Sequence, residues 1–197
     1  ISNVPDTLKA LQKYSVNGLV TDVQGTTLTD FTGTVYASVF EKTQSVTTQA
    51  NDPDSYKENF QVQRNLLFKG KARVENGKFS VSFIVPKDIN YQPGKGRINY
   101  YTENGKTDGN GSFVDFIIGG SQGVSSDTEG PVINAYLNDD RFVNGSVVNE
   151  RPVLLIELKD SSGINIAGTG IGHDITATLD GDAEKLFVLN DFFESNL

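Results

Sequence analysis

Apolar and polar residues alternate with a period of two along most of this 197-residue chain, the spacing that puts every second side chain on one face of a strand. In GTVYASVF (residues 33–40), Val35, Ala37 and Val39 share one face, and Tyr36, Ser38 and Phe40 the other. In LLFKGKARVENGKFSVSFIVP (residues 66–86), Phe79, Val81, Phe83 and Val85 alternate with Ser80, Ser82 and Ile84. Asn76 and Gly77 precede that run, and such a pair accepts the two positive φ angles of a tight hairpin turn. YSVNGLVTD, RINYYTENGK and GSFVDFIIGG predict further strands, and Asn-Gly pairs at 17, 76, 104, 110 and 144 predict that hairpins organise the chain. One stretch departs from the pattern: DTLKALQK (residues 6–13) suggests a helical turn ahead of the first strand.

GGSQGVSSDTEGP (residues 119–131) is small, polar and glycine-rich, and ends in a proline that cannot continue a central strand. It divides the chain into a first sandwich (1–122), a linker (123–130) and a second unit (131–197). Within RPVLLIELKD, Val153, Leu155 and Glu157 share one face and Leu154, Ile156 and Leu158 the other, which predicts a central strand. Three or four strands are legible after the linker, short of the roughly seven of an immunoglobulin sandwich. The expected fold is all-β: two consecutive immunoglobulin-like or macroglobulin-like sandwiches, the second truncated.

Composition narrows the function. The formal charge is −8 with no cluster of Lys and Arg, which argues against nucleic acid as a partner. No apolar run approaches the roughly 18 residues of a membrane span, so no membrane insertion is expected. There is no cysteine, which excludes disulfides, thiolate zinc sites and a cysteine nucleophile within this chain. The absence of methionine, with Ile1 first, suggests a piece of a longer protein.

The one stretch that invites a chemical reading is GTGIGHDI (residues 168–175), which holds the only histidine, His173. A dinucleotide fingerprint would need glycine where His173 stands and a helix after it, but ITATLDG reads as a strand. The Gly-Lys-Ser/Thr of a phosphate loop is missing. His173 and Asp174 are neighbours and would point to opposite faces of a strand, and no nucleophile-elbow pattern joins Ser161 or Ser162 to them. No catalytic and no cofactor-binding residue is therefore assigned, and the stretch is expected to link the LKDSSGIN turn to the next strand.

One histidine is a poor start for a transition-metal site. Calcium is the metal left open, because Asp139, Asp140, Asp160, Asp174, Asp180 and Asp182 fall in loops. Asp160, Asp174, Asp180 and Asp182 stand as weak candidates, although loop aspartates more often cap turns. DGNGSFVD (residues 108–115) lacks the bidentate glutamate of an EF-hand. Asn110-Gly-Ser112 and Asn144-Gly-Ser146 are sequons, but read more economically as turns. Tyr91, Tyr100 and Tyr101 are the cluster a carbohydrate platform would draw on, and are expected to pack in or beside the sheet.

Several long phrases resemble one family. NGKFSVSFIVPKDINYQPGKGRINYYTENG (residues 76–105), FIIGG (116–120), the Asp-Thr-x-Gly-Pro start at Asp127, LKDSSGIN (158–165) and GTGIGHDITATLDG (168–181) are similar to the β-sandwich region behind the protease domain of PorU-like proteins. These are gingipain-related, C25-type cysteine peptidases of the type IX secretion system in Bacteroidetes. The resemblance runs from about Asp6 to Asn190. It implies a catalytic histidine and cysteine in a caspase-like α/β domain upstream, none of which can be carried over to this chain. The family's GIGHDI phrase belongs to the sandwich, and its chain continues past LNDFFESNL with further strands.

By the same resemblance, the parent acts as a sortase-like enzyme at the outer-membrane surface. It removes C-terminal sorting domains from secreted cargo and helps attach that cargo to lipopolysaccharide. The chain itself would be a non-catalytic, exported accessory region without a cofactor. It would act as a spacer or as a docking module for the parent catalytic domain, cargo or secretion partners. The alternative is a generic surface adhesion or carbohydrate-binding module.

Overall fold

The computed structural model describes residues 4–121, 123, 129–166 and 174–196. The first part of the chain runs β1 (Thr7–Ala10), β2 (Lys13–Leu19), β3 (Gly33–Phe40), β4 (Gln44–Thr47), β5 (Asn59–Val62) and β6 (Leu66–Val74). It continues through β7 (Lys78–Ile84), β8 (Gly94–Lys95), β9 (Arg97–Glu103), β10 (Asp108–Phe113) and β11 (Ile117–Ser121). After the linker come β12 (Val132–Leu137), β13 (Leu154–Lys159), β14 (Thr176–Thr178), β15 (Leu186–Val188) and β16 (Ser195–Asn196). The only helical pieces among the described residues are the 3-10 turns Ala183–Lys185 and Asn190–Phe192. The protein is all-β.

Alternation becomes burial as the sequence leads one to expect. Val35, Ala37 and Val39 point inward from β3, Ile98 and Tyr100 from β9, and Leu67, Phe68 and Val74 from β6. These strands belong to one sheet of order β10-β9-β3-β6-β16. Their inner face shares a single core with Tyr14 and Val16 of β2, Val81 and Phe83 of β7, Leu8 and Ala10 of β1, and Ile118 of β11. Phe68 stacks on Phe83 across the layers with ring centroids 5.2 Å apart. Each fully buried Val, Leu or Ile contributes about 1.5–3 kcal/mol, so this interior is what holds the first sandwich together.

Two local expectations are corrected. DTLKALQK forms β1 instead of a helical turn, with Leu8 and Ala10 buried and Lys9 turned out. Parallel pairing with β11 (Thr7↔Ile117, Leu8↔Ile118) decides the matter, because so short a helix has no stability of its own to set against it. The Asn-Gly pairs are also of two kinds. Asn76 (φ 50°) and Gly77 (φ 71°) do make a tight turn, but β7 pairs with β2 and β6 with β3, so the turn steps between layers. Asn104-Gly105 turns β9 into β10, and Asn144-Gly145 turns the β12–β13 connection. Asn17-Gly18 and Asn110-Gly111 lie inside β2 and β10. At Gly18 the ring of Phe79 fills the space a side chain would need.

Tyr100 is a misfit in the core. It is buried beside Phe79, ring centroids 5.5 Å apart, and its hydroxyl has no hydrogen-bond partner. Burial pushes its phenol well above the usual tyrosine range. Tyr100→Phe removes an unpaired polar group and is expected to stabilise the fold by about 1 kcal/mol, read as a higher urea midpoint. Above the ordinary tyrosine range the unfolded chain releases this proton while the folded chain keeps it, so stability falls as pH rises there. The variant should lose that alkaline decline, and a destabilised Tyr100→Phe would contradict the reading.

The later strands are arranged differently. β12 pairs with β13, and β14 with β15, each as an isolated antiparallel pair. β13 is thus not central among the described residues, contrary to the sequence expectation. Register puts Ile133, Ala135 and Leu137 on the same face as Leu158, Ile156 and Leu154, a wholly apolar surface. Among the described residues no sheet opposes it: Ile133 is 62% and Leu154 50% exposed, and no residue of β12 to β15 is buried.

The stretch is nevertheless tied to the first sandwich. β16 adds parallel to β6 (Ser195↔Gly70), Glu194 pairs with Lys71 at 2.8 Å, and the Lys69 ammonium donates to the Asp191 carbonyl. Asn165 donates to Asp88 at 3.2 Å, and Gly163 rests against Ile84. Most of the expected linker 123–130 lies outside the described residues.

Candidate functional site

Residues 168–173 of GTGIGHDI, including His173, lie outside the described residues, but both flanks are in place. One side chain brings them together. Asn190 donates from Nδ2 to the Ile166 carbonyl at 3.2 Å and accepts at Oδ1 from the Ile175 amide at 2.9 Å. Leu189 N donates to the Ile175 carbonyl, and Ile166 is buried. Asn190 sits at the start of a 3-10 turn, and nothing in the sequence pattern marks it out. Asn190→Ala is expected to cost about 1–2 kcal/mol locally, seen as faster amide hydrogen exchange at Ile175 with the β3 amides unchanged.

The calcium candidates do not converge. Asp160 Oδ1 accepts from both Ser162 N (2.7 Å) and Ser162 Oγ (2.6 Å). Asp182 caps the 3-10 turn Ala183–Lys185 through Glu184 N and pairs with Lys185 at 3.3 Å. Asp180 takes φ 56° in the preceding turn, and Asp174 is exposed. Asp139 accepts from Arg141 N, which with the Arg141 guanidinium holds its carboxyl below the usual range. Among the described residues no three potential metal ligands gather.

The tyrosines divide by strand parity. Tyr100 is in the core, and Tyr91 is exposed with its hydroxyl donating to the Lys87 carbonyl at 2.7 Å. Tyr101 faces outward beside Tyr36, which the sequence search for an aromatic cluster missed. Their rings are 6.2 Å apart and tilted by 35°, with Tyr36 38% and Tyr101 45% exposed. Across the outer sheet face the register runs Asn110, Tyr101, Tyr36, Lys71. Partial burial and the Asp108 carboxylate, to which its hydroxyl donates at 3.3 Å, hold the Tyr101 phenol above its ordinary range. The even positions of GTVYASVF carry the missed signal, since a tyrosine opposite an apolar face must look outward.

A second missed feature is charged. Glu41 is only 4% exposed, and it accepts from Lys42 Nζ (3.0 Å), Asn90 N (2.9 Å) and Asn65 Nδ2 (3.2 Å). Lys42 also donates to the Asn90 carbonyl, and Gln63 Nε2 donates to the Glu41 carbonyl. Arg97 donates to the Gln63 carbonyl and lays its guanidinium over the Phe40 ring, 4.8 Å from the centroid. The cluster ties the end of β3 to the segment before β6 and the loop before β8. Its hydrogen bonds join these segments to one another.

Fold and sites together define an all-β sandwich region whose described residues assemble no catalytic set and no metal set. The chain is similar to PorU from Porphyromonas gingivalis, in the crystal structure of its dimeric latent form, at 35% identity and a TM-score of 0.60. The likeness covers 96% of this chain and 18% of that one, so the chain spans less than a fifth of the protein it matches. This chain is a PorU-like region. No protein-family model and no curated protein matches it.

Proposed function

We propose that the chain is a non-catalytic accessory β-sandwich region of a secreted, cell-surface, PorU-like cysteine peptidase of the type IX secretion system. Its role in this reading is to space the catalytic domain or to dock that domain, cargo or secretion components. The observation that carries the reading is the exposed apolar face of β12 and β13 in a chain spanning 18% of PorU. Such a face is a liability on a free-standing protein and an asset on a part that packs against others. The absence of cysteine supports the non-catalytic half of the reading. Placement outside the outer membrane is part of the proposal; no helix among the described residues is long and apolar enough to cross a membrane.

The test is made in the parent protein. Deleting the region should abolish cargo processing while the catalytic domain still cleaves a small peptide. Replacing it with an unrelated sandwich of equal length separates the two roles, since restored processing means spacer and continued loss means docking. Peptide hydrolysis by the purified chain, abolished by His173→Ala, would overturn the reading.

No cofactor belongs to this proposal. Because Asp160 Oδ1 and Asp182 Oδ1 are already engaged in turns and no three potential ligands gather among the described residues, the melting temperature is expected to be the same in calcium and in chelator. A rise with calcium would reopen the metal question.

A carbohydrate-binding role is the second reading, favoured by the Tyr36–Tyr101 pair. The chain has no tryptophan, so tyrosine emission can be followed directly during titration with soluble oligosaccharides. A saturable change lost in Tyr36→Ala and Tyr101→Ala would favour it over docking.

A further inference from the structure

The Asn-Gly pairs carry a chemistry that depends on which role each plays in the fold. The backbone nitrogen of a glycine after asparagine can attack the asparagine Cγ, because no Cβ shields the approach and the backbone rotates freely. Two things restrain it: a glycine N–H already engaged, and a backbone held in a strand ladder.

Four of the five pairs are restrained. Gly77 N donates to the Phe31 carbonyl at 2.8 Å, with Asn76 fixed at φ 50°. Gly105 N donates to Glu103 Oε2 at 2.8 Å, and the Asn104 carboxamide oxygen is tied down by Lys106 N and Thr107 N. Asn17-Gly18 lies in the β2–β7 ladder and Asn110-Gly111 in the β9–β10 ladder.

Asn144-Gly145 is the exception. It occupies an exposed turn closed by Ser146 N donating to the Val143 carbonyl at 3.0 Å. Gly145 has φ 90°, and a Cβ placed on it would meet nothing within 4 Å. Neither its amide nor the Asn144 side chain has a hydrogen-bond partner among the described residues. The single turn bond from Ser146 N is all that holds this backbone among the described residues, and it engages neither the attacking nitrogen nor the carboxamide.

We propose that Asn144 is a selective site of spontaneous deamidation in the folded protein. Gly145 N bonds to Asn144 Cγ, the side-chain nitrogen leaves as ammonia, and a five-membered succinimide forms. Water then opens either carbonyl, giving aspartate or isoaspartate. The net exchange is one water in and one ammonia out, with no oxidant or reductant. The product adds one negative charge to a chain of formal charge −8. As isoaspartate it also inserts a methylene into the turn between β12 and β13, the pair bearing the apolar face. The inference rests on turn geometry and is independent of the proposed function.

The experiment incubates the full folded chain at mildly alkaline pH, with ion-exchange separation of acidic species and peptide mapping by mass. Asn144 is expected to convert at least about tenfold faster than any of the other four, since those must first open locally. The first acidic species should be missing from Asn144→Gln, and its rate should rise with hydroxide concentration. In unfolded chain the five pairs should convert at similar rates. Asn76 or Asn104 converting as fast as Asn144 in the folded chain would overturn the proposal. So would an Asn144 that stays intact while the unfolded chain converts.

Discussion

Glu41→Ala is expected to destabilise the first sandwich by about 3–5 kcal/mol, because removing one partner of a buried ion pair strands the other. The Asn90 amide and the Asn65 carboxamide lose their acceptor, and the Lys42 ammonium loses its counter-charge and keeps only the Asn90 carbonyl. Lys42 cannot simply swing into water, since its stem packs against Gly94 and its side chain is 12% exposed. Glu41→Gln keeps an acceptor for Asn90 N but leaves the ammonium without a counter-charge, and should cost roughly half as much. Adding Lys42→Met to Glu41→Gln should recover part of the loss, since an apolar replacement of a buried pair is often tolerated. Urea midpoints at constant slope measure all three. A loss below about 1 kcal/mol for Glu41→Ala would show that the cluster is hydrated and the pair no stronger than a surface one.

Glu41 also marks where the sequence stops being legible. Next to Lys42 in a −8 chain it reads as an ordinary surface charge, and only the return of Asn65 and Asn90 from distant segments buries it. Alternation at Val35, Ala37 and Val39 was readable because each strand's inner face obeys a purely local period. β1 was not, because four residues with two buried positions fit a turn of helix as well as a strand until β11 supplies its ladder. Asn-Gly pairs make a turn here where the glycine takes positive φ, as at Gly77, Gly105 and Gly145. At position 18 the glycine was required instead by a ring across the sheet, which no local pattern reveals. Asn190 was invisible for the same reason, since its two partners lie 15 and 24 residues away. The long phrases between residues 76 and 181 pointed to PorU-like proteins, and the likeness to PorU at 35% identity agrees with that resemblance.

The paired substitution Leu154→Lys with Ile156→Lys is expected to have opposite consequences in two settings, and the contrast tests the docking proposal. In this chain alone both residues lie on the uncovered face of β13, so their loss should leave the unfolding midpoint of the first sandwich unchanged within about 0.5 kcal/mol. Binding of an apolar dye and self-association should both fall, because the added ammonium groups break up the apolar surface and repel like faces. In the full parent protein the same face is proposed to be covered. Two ammonium groups would then be forced into an apolar contact without counter-ions, at several kcal/mol each. The measurable result would be loss of the folded parent, or of cargo processing with the small-peptide activity retained. Opposite signs in the two settings cannot arise from a defect within the chain itself, since the chain alone is unharmed. If the parent tolerates the pair of lysines as easily as the chain does, the face is solvent-exposed in both. The apolar surface of β12 and β13 would then offer no support for a packed or docking role.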